Sequence, residues 1–344
     1  MQFDDTAAPG PQGAPGLPSW RPLETVSAKQ LPYARFLRDH VHANRPVVVT
    51  DAAPAWPAMQ RWTPEFFRTR FADEQVAVSY TETMRFADFI DAVLASTEAR
   101  PGPYMFRLFL HEHLPALLPD VIPQNVYAFP RRYASPLMRP QWRRPDGYLK
   151  LLIGGVGSKF PVLHFDGDNA HAAITEIHGE KAFVMYRPED GRFLYPNPKQ
   201  PNKSLVPDLD RPDLDRFPLL RQATPWGAIL KPGDMVFVPC GWWHSAKPVT
   251  PSVSVCMNML DGSNWAGFVD ETCRSAAQTS RAKAAAYRVY LSSLGAVMSA
   301  CEALQRHAPG LARAAGWPVR WAPASADAVP DPSAHRLDIL VPTP

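Results

Sequence analysis

Cysteine is scarce in this chain. Its 344 residues include four, Cys240, Cys256, Cys273 and Cys301. They form no C-x-x-C pair and show no secreted-scaffold spacing, which argues against a small disulfide-stapled fold. Free or buried thiols in a reducing compartment are the expectation. A dominant charge is lacking too: a net +3 over this length is too weak to mark a nucleic-acid or membrane surface. No apolar run approaches the ~20 residues of a membrane-spanning helix. Met1 to Trp20 carries Asp4 and Asp5 and then Pro, Gly and Ala, without the basic and apolar segments of a signal peptide. These absences leave a cytoplasmic, globular protein as the expectation. Hydrophobic residues at 46% and charged residues at 20% suit one.

Proline is what the chain has in excess. Its 39 prolines gather at both ends and around residues 188–218, marking tails and loops where a missing N–H costs least. The expected organisation is a disordered leader over 1–18, a main domain over 19–262, a helical region over 263–321 and a proline-rich tail over 322–344. Tyr33 to His42 has helical apolar spacing, and Val47 to Thr50 follows as a buried strand. Thr63-Pro64-Glu65 opens a helix, with Thr as cap and Pro at the first position. Val76–Tyr80 alternates as a strand, and a helix begins at Phe86.

From Tyr104 to about Leu260 the pattern becomes short strands between turns. The clearest are Tyr148–Ile153, Val162–Phe165, Ala172–His178, Ala182–Tyr186, Met235–Val238 and Val253–Met259. So many short strands predict a mostly β sandwich or barrel. Beyond Trp265, Tyr287, Leu291, Leu294, Met298, Cys301 and Leu304 recur at helical steps, an apolar stripe. A homodimer held largely by these helices is the expectation, and packing of the stripe on its own core is the alternative.

One constellation carries chemistry. His164 and Asp166 are two apart on an expected strand, so they share a face. His244 ends the run Pro232-Gly233-Asp234-Met235-Val236-Phe237-Val238-Pro239-Cys240-Gly241-Trp242-Trp243, an apolar setting in which an imidazole needs a partner. Two histidines and a carboxylate on one face leave open positions on an octahedral ion, the facial triad of non-haem iron enzymes. H-x-D alone is a weak signal; the tryptophan-flanked distal histidine strengthens it. His111, His113 and His178 are read as loop or turn residues, and His171 as a possible neighbour of the metal strand.

These motifs resemble the JmjC and cupin-like 2-oxoglutarate oxygenases, most of all the hypoxia-factor asparaginyl hydroxylase type. His164-Phe165-Asp166 matches their H-x-D, and Pro232 to His244 matches their P-G-D-x-x-x-x-P-x-x-W-W-H. Leu194-Tyr195-Pro196-Asn197-Pro198, Asp215-Arg216-Phe217-Pro218, Asn44 to Thr50, Trp56-Pro57-Ala58 and Trp62 follow the family pattern as well, so the likeness spans roughly residues 20–300. It implies a double-stranded β-helix (jelly-roll, cupin-like) with helices at either end. It also implies iron(II) held by His164, Asp166 and His244, 2-oxoglutarate as co-substrate, and dioxygen. Oxidative decarboxylation to succinate and CO2 would then be coupled to hydroxylation, or to demethylation through an N-methyl carbon.

By resemblance, Lys181 pairs with the distal carboxylate of 2-oxoglutarate, the alternative being an exposed hairpin lysine. Asn258 lies near the metal, on a face shared with Ser254 and Cys256. Tyr104 hydrogen-bonds the co-substrate, or is a core tyrosine. Trp242, Trp243 and Phe183 are expected to wall the site. The chain departs from the family at Pro161, where a threonine is usual, at Cys256, and around Asn169 and His171, where an asparagine has no clean counterpart. A protein or peptide substrate is favoured; a small molecule or modified nucleoside, another metal-dependent cupin reaction, and a non-catalytic binding module are the rivals. Membrane and nucleic-acid partners are not expected.

Overall fold

The computed structural model describes residues 19–53, 56–78, 82–121, 126–128, 132–135, 137–140, 142–143, 149–160 and 162–308. The expected leader, the tail and Pro161 lie outside them. Two sheets face each other. The larger has seven strands in the order Thr25–Ser27, Val47–Thr50, Met235–Val238, His171–His178, Ser252–Met259, Lys150–Gly154 and Tyr104–Phe109. The smaller has four, Arg21–Pro22, Trp226–Leu230, Lys181–Tyr186 and Trp243–Pro248. Apart from the two N-terminal pairings, which are parallel, neighbours in both sheets run antiparallel. This is the mostly β, cupin-like jelly roll with flanking helices that the sequence implies, and the barrel is not closed.

Strand alternation sorts the side chains into layers. Along Ser252–Met259, Val253, Val255 and Met257 face a helical layer that includes Phe67, Phe86, Phe89 and Ile90. Cys256 faces the other way, into a core between the sheets with Tyr104, Leu152, Ile174, Phe183, Met185 and Val238. The outer face of the small sheet is covered by Leu194, Val206, Leu209 and Phe217 from the proline-rich insertion. Turns end the strands where the sequence says they must. Gly233 (φ +92°) and Gly179 (φ +77°) occupy left-handed conformations that a β-carbon would strain.

Several expected elements shift. The helix from Tyr33 is α only to Phe36 and then widens into a π turn over Leu37–Val41. The strand expected over 76–80 is Gln75–Ala77, with Tyr80 outside the described residues. Val162–Phe165 is not a strand; within it only His164 makes bridges. His244 does not end the Met235–Val238 strand but sits on one of its own, Trp243–Pro248.

The middle of the C-terminal stripe is covered. Leu291, Leu294 and Met298 are buried against Trp265, Phe268, Val269 and Cys273 of the preceding helix, and against Tyr133, Met138 and Leu260. The two helices, Trp265–Ala277 and Arg281–His307, make an antiparallel-type hairpin pair on one apolar seam. The reason for expecting a dimer through this stripe therefore falls away, and what stays exposed is Val289, Val297 and Leu304. Leu291→Ala is expected to lower unfolding stability by about 2–5 kcal/mol in denaturant titration, whereas Val289→Ala should stay within about 0.5 kcal/mol. Equal effects would contradict this assignment of faces.

Candidate metal and co-substrate site

His164 and His244 are joined through their backbones. His164 N donates to His244 O at 3.1 Å, and His244 N donates to His164 O at 2.7 Å. On its other side the same segment is held by the Gln200–Ser204 strand: Ser204 N donates to Leu163 O at 2.8 Å and Phe165 N to Asn202 O at 3.0 Å. Each imidazole is then set by a local carbonyl. Nδ1 of His164 lies 3.1 Å from Val162 O, and Nδ1 of His244 lies 3.1 Å from Trp242 O. A carbonyl can only accept, so Nδ1 carries the proton in both rings and Nε2 keeps its lone pair for a metal.

Asp166 completes the group. Ligand atoms of His164, Asp166 and His244 all lie within 4.8 Å of one another. Low-dielectric surroundings, and then the His244 imidazole, push His164 down to about 3, which keeps it neutral as a ligand must be. The donor set, its spacing and the free Nε2 atoms fit a divalent metal of the iron(II) type.

The turn after Asp166 is braced from outside. Asp168 and Asn169 adopt positive φ (59° and 49°). Asn169 N donates to Glu271 at 2.8 Å and its Nδ2 donates to Asn264 O at 3.0 Å, so the Trp265–Ala277 helix and its N-cap residue hold the metal loop. His171 takes no part in the triad. Its Nδ1 accepts from Cys240 N at 2.9 Å and its Nε2 lies 3.0 Å from Ser263 Oγ, tying down the loop before His244. His111 and His113 belong to a short helix, Leu110–His113, away from the triad segments in the sequence.

The wall differs in part from expectation. Trp242 and Phe183 do enter the core between the sheets. Trp243 points to the opposite side, 4.9 Å from Phe165 and among Tyr186 and Leu194, because adjacent residues alternate across a strand. Phe160, which sequence reasoning missed, stacks on His164 at 4.3 Å and 13°, with Phe106 behind it. Burial raises the Cys256 thiol to about 11, so it stays protonated as a small apolar wall.

Lys181 is fully buried and not an exposed hairpin lysine. Its Nζ contacts Ser254 Oγ and lies 3.6 Å from Glu176. Ser252 and Ser254 donate to the two Glu176 oxygens at 2.7 and 2.8 Å. Burial alone would lower the Lys181 pKa, but the Glu176 carboxylate outweighs it and raises it, so the ammonium persists. Tyr104 lies under the Lys181 ammonium, 5.5 Å from ring centroid to Nζ. Its buried hydroxyl forms no hydrogen bond among the described residues, an orphan donor that a bound acceptor would satisfy. Asn258 is buried, and its Oδ1 accepts from Lys150 Nζ at 2.8 Å.

Residues 33–260 match the model of the family described as "Cupin-like domain". The chain belongs to the cupin-like domain family. Among its cupin-like relatives are lysine-specific demethylase 8 of Danio rerio, 26% identical over 64% of this chain and 54% of that protein, and arginine-specific demethylase JMJ20 of Arabidopsis thaliana, 24% identical over 70% and 58%. Another is tRNA wybutosine-synthesizing protein 5 of Danio rerio, 28% identical over 64% of this chain and 70% of that protein. The chain thus spans little more than half the length of the first two relatives.

Glu176→Leu should strand the Lys181 ammonium without its counter-charge and cost about 3–5 kcal/mol in urea unfolding. Adding Lys181→Met should restore most of that loss, because an apolar pair of similar volume removes both desolvation penalties. A single variant as stable as wild type would show that the two charges are not coupled.

Proposed function

We propose that this cupin-like chain is an iron(II)- and 2-oxoglutarate-dependent oxygenase that hydroxylates a side chain of a protein or peptide. The observation that carries the reading is a pair of polar groups bridged by Phe160: the His164–Asp166–His244 triad, on whose His164 that ring stacks, and the Tyr104 hydroxyl beside the buried Lys181, with the Tyr104 ring 6.1 Å from Phe160. His164, Asp166 and His244 would hold the iron, which supplies activation of dioxygen while 2-oxoglutarate is converted to succinate and CO2. Lys181 and Tyr104 would bind the distal carboxylate by charge-assisted hydrogen bonds. Phe160, Phe106 and Trp242 would exclude water from the reacting centre. Glu176 already neutralises much of Lys181, so Tyr104 has to provide a larger share of that anchor than a lone lysine would leave it.

The substrate class rests on a cavity of about 550 Å³ that starts at Asp168, two residues from the ligand Asp166, and runs past Tyr133, Trp142, Phe268, Glu271 and Tyr287. Aromatic walls carrying two carboxylates, Asp168 and Glu271, and one lysine, Lys283, beside the metal loop suit an extended chain bearing a polar side chain. Relatives named as lysine- and arginine-specific demethylases support this class, with demethylation as hydroxylation at an N-methyl carbon; the asparaginyl hydroxylase type is the hydroxylation counterpart. A modified nucleoside is the second reading, favoured by the relative named as a tRNA wybutosine-synthesizing protein and by rings on which a base could stack. No helix among the described residues is long and apolar enough to cross a membrane, and a cytoplasmic setting is part of the proposal.

Succinate release from 2-oxoglutarate, with a mass-spectrometric screen of peptides and nucleosides for products heavier by one oxygen atom, tests the reading. His164→Ala, Asp166→Ala and His244→Ala should each abolish succinate release; wild-type turnover in any of them removes that residue from the metal site. Tyr104→Phe should raise the KM for 2-oxoglutarate about tenfold at unchanged thermal stability, since its hydroxyl bonds no described residue. An unchanged KM would place the distal carboxylate elsewhere.

A further inference from the structure

The cavity beside the metal loop has a positive charge to spare. Its two carboxylates are already engaged: Glu271 accepts from Asn169 N at 2.8 Å, and Asp168 accepts from the Tyr133 hydroxyl at 3.4 Å. Lys283 lines the same cavity and pairs with no carboxylate among the described residues. Its ammonium lies 5.4 Å from the centroid of the Tyr287 ring, which is also part of the wall. A ring face holds a cation in place without neutralising it. Trp142 meets Tyr287 edge-on at 5.1 Å, so these two rings form one aromatic surface. Thr272 and Ser275 add hydroxyls to the wall that bond to no group among the described residues.

Helical spacing orders these groups along the cavity. Glu271, Thr272, Ser275 and Thr279 fall on one face of the Trp265–Ala277 helix and of the turn that follows it. From Glu271 to Thr279 the rise is roughly 12 Å, the reach of about three to four residues of extended chain. Glu271, bonded to Asn169, marks the metal-loop end. Lys283 is in the first turn of the Arg281–His307 helix, so it marks the hairpin end. The carboxylates at the metal-loop end would repel a phosphate backbone, which favours a polypeptide over a nucleic acid as occupant.

We propose that Lys283 is a specificity-determining residue, which takes an acidic side chain of the polypeptide substrate about three to five residues from the side chain that is hydroxylated. This rests on the peptide reading above. The Thr272 and Ser275 hydroxyls bond the intervening main chain, and Trp142 and Tyr287 shield it from water, which strengthens the ion pair at Lys283.

Fluorescence anisotropy of the full chain with labelled pools of degenerate peptides, whose flanking positions are acidic, neutral or basic, reads binding without turnover; succinate release with the same pools reads turnover. Wild type should favour the acidic pool over the neutral one about fivefold in both readouts. Lys283→Glu should favour the basic pool. That variant keeps its helix, because a glutamate three residues after the Ser280 cap completes a capping box. Binding without charge preference, or the same preference in wild type and Lys283→Glu, overturns the proposal while peptide turnover leaves the peptide reading standing. Succinate release with nucleosides and with no peptide pool sinks the peptide reading, and this proposal with it. Binding of a single-stranded RNA that Lys283→Glu abolishes, with no preference among the peptide pools, would give the lysine to a phosphate and also overturns it.

Discussion

The site depends on one pair of backbone hydrogen bonds, exchanged between His164 and His244. These residues are 80 positions apart in the chain, and neither comes from the central strands of a sheet. The exchange fixes their separation before any side chain is considered. The carbonyls of Val162 and Trp242 then choose the tautomer of each ring, and a turn held by Glu271 and Asn264 brings Asp166 to the same place. Candidate ligand atoms of all three residues thereby come within 4.8 Å of one another, held by groups outside the proposed ligand set. Such preorganisation lets binding energy go into the metal rather than into ordering the chain.

The rest of the interior follows a second constraint, that buried charge must be met. Between two mostly apolar sheets the chain places Lys181, Glu176, Ser252 and Ser254 in one fully connected cluster. Lys150 and Asn258 form a smaller and more open one. The first is internally neutralised and rigid. The second keeps a net positive charge. Among the described residues the Tyr104 hydroxyl is a buried polar atom of this core that makes no hydrogen bond. Cost and proposed function coincide at Tyr104: its unsatisfied hydroxyl is a group that the proposed dianionic co-substrate would meet.

Much of this was legible in the sequence, for physical reasons that differ by residue. H-F-D and the P-G-D to W-W-H run are local patterns, so the triad could be named without knowing how the chain folds. The strand bearing His244 was missed because Pro248 ends it; the structure tolerates that proline because Trp243–Pro248 lies at the edge of its sheet. Val162–Phe165 has strand-forming residues, yet its neighbours bind it through single bridges. The Lys181 counter-charge was hidden because Glu176 lies across the hairpin turn, on a strand whose inward face is otherwise Ala172 and Ile174. The apolar stripe from Tyr287 to Leu304 was correctly periodic, but its partner surface, Trp265, Phe268, Val269 and Cys273, lies on the preceding helix, and periodicity does not say which face meets which. Phe160 over His164 had no signal of its own, since a phenylalanine in a loop is indistinguishable from any other.

The central claim is that two imidazoles and one carboxylate, preset by the backbone, hold a single iron. X-ray absorption at the iron edge of the anaerobically loaded protein measures this most directly. The account predicts one iron(II) per chain with scattering from two imidazole rings, falling to one ring in His244→Ala. Two imidazole rings retained in that variant, or a loaded metal with no imidazole in wild type, would contradict it.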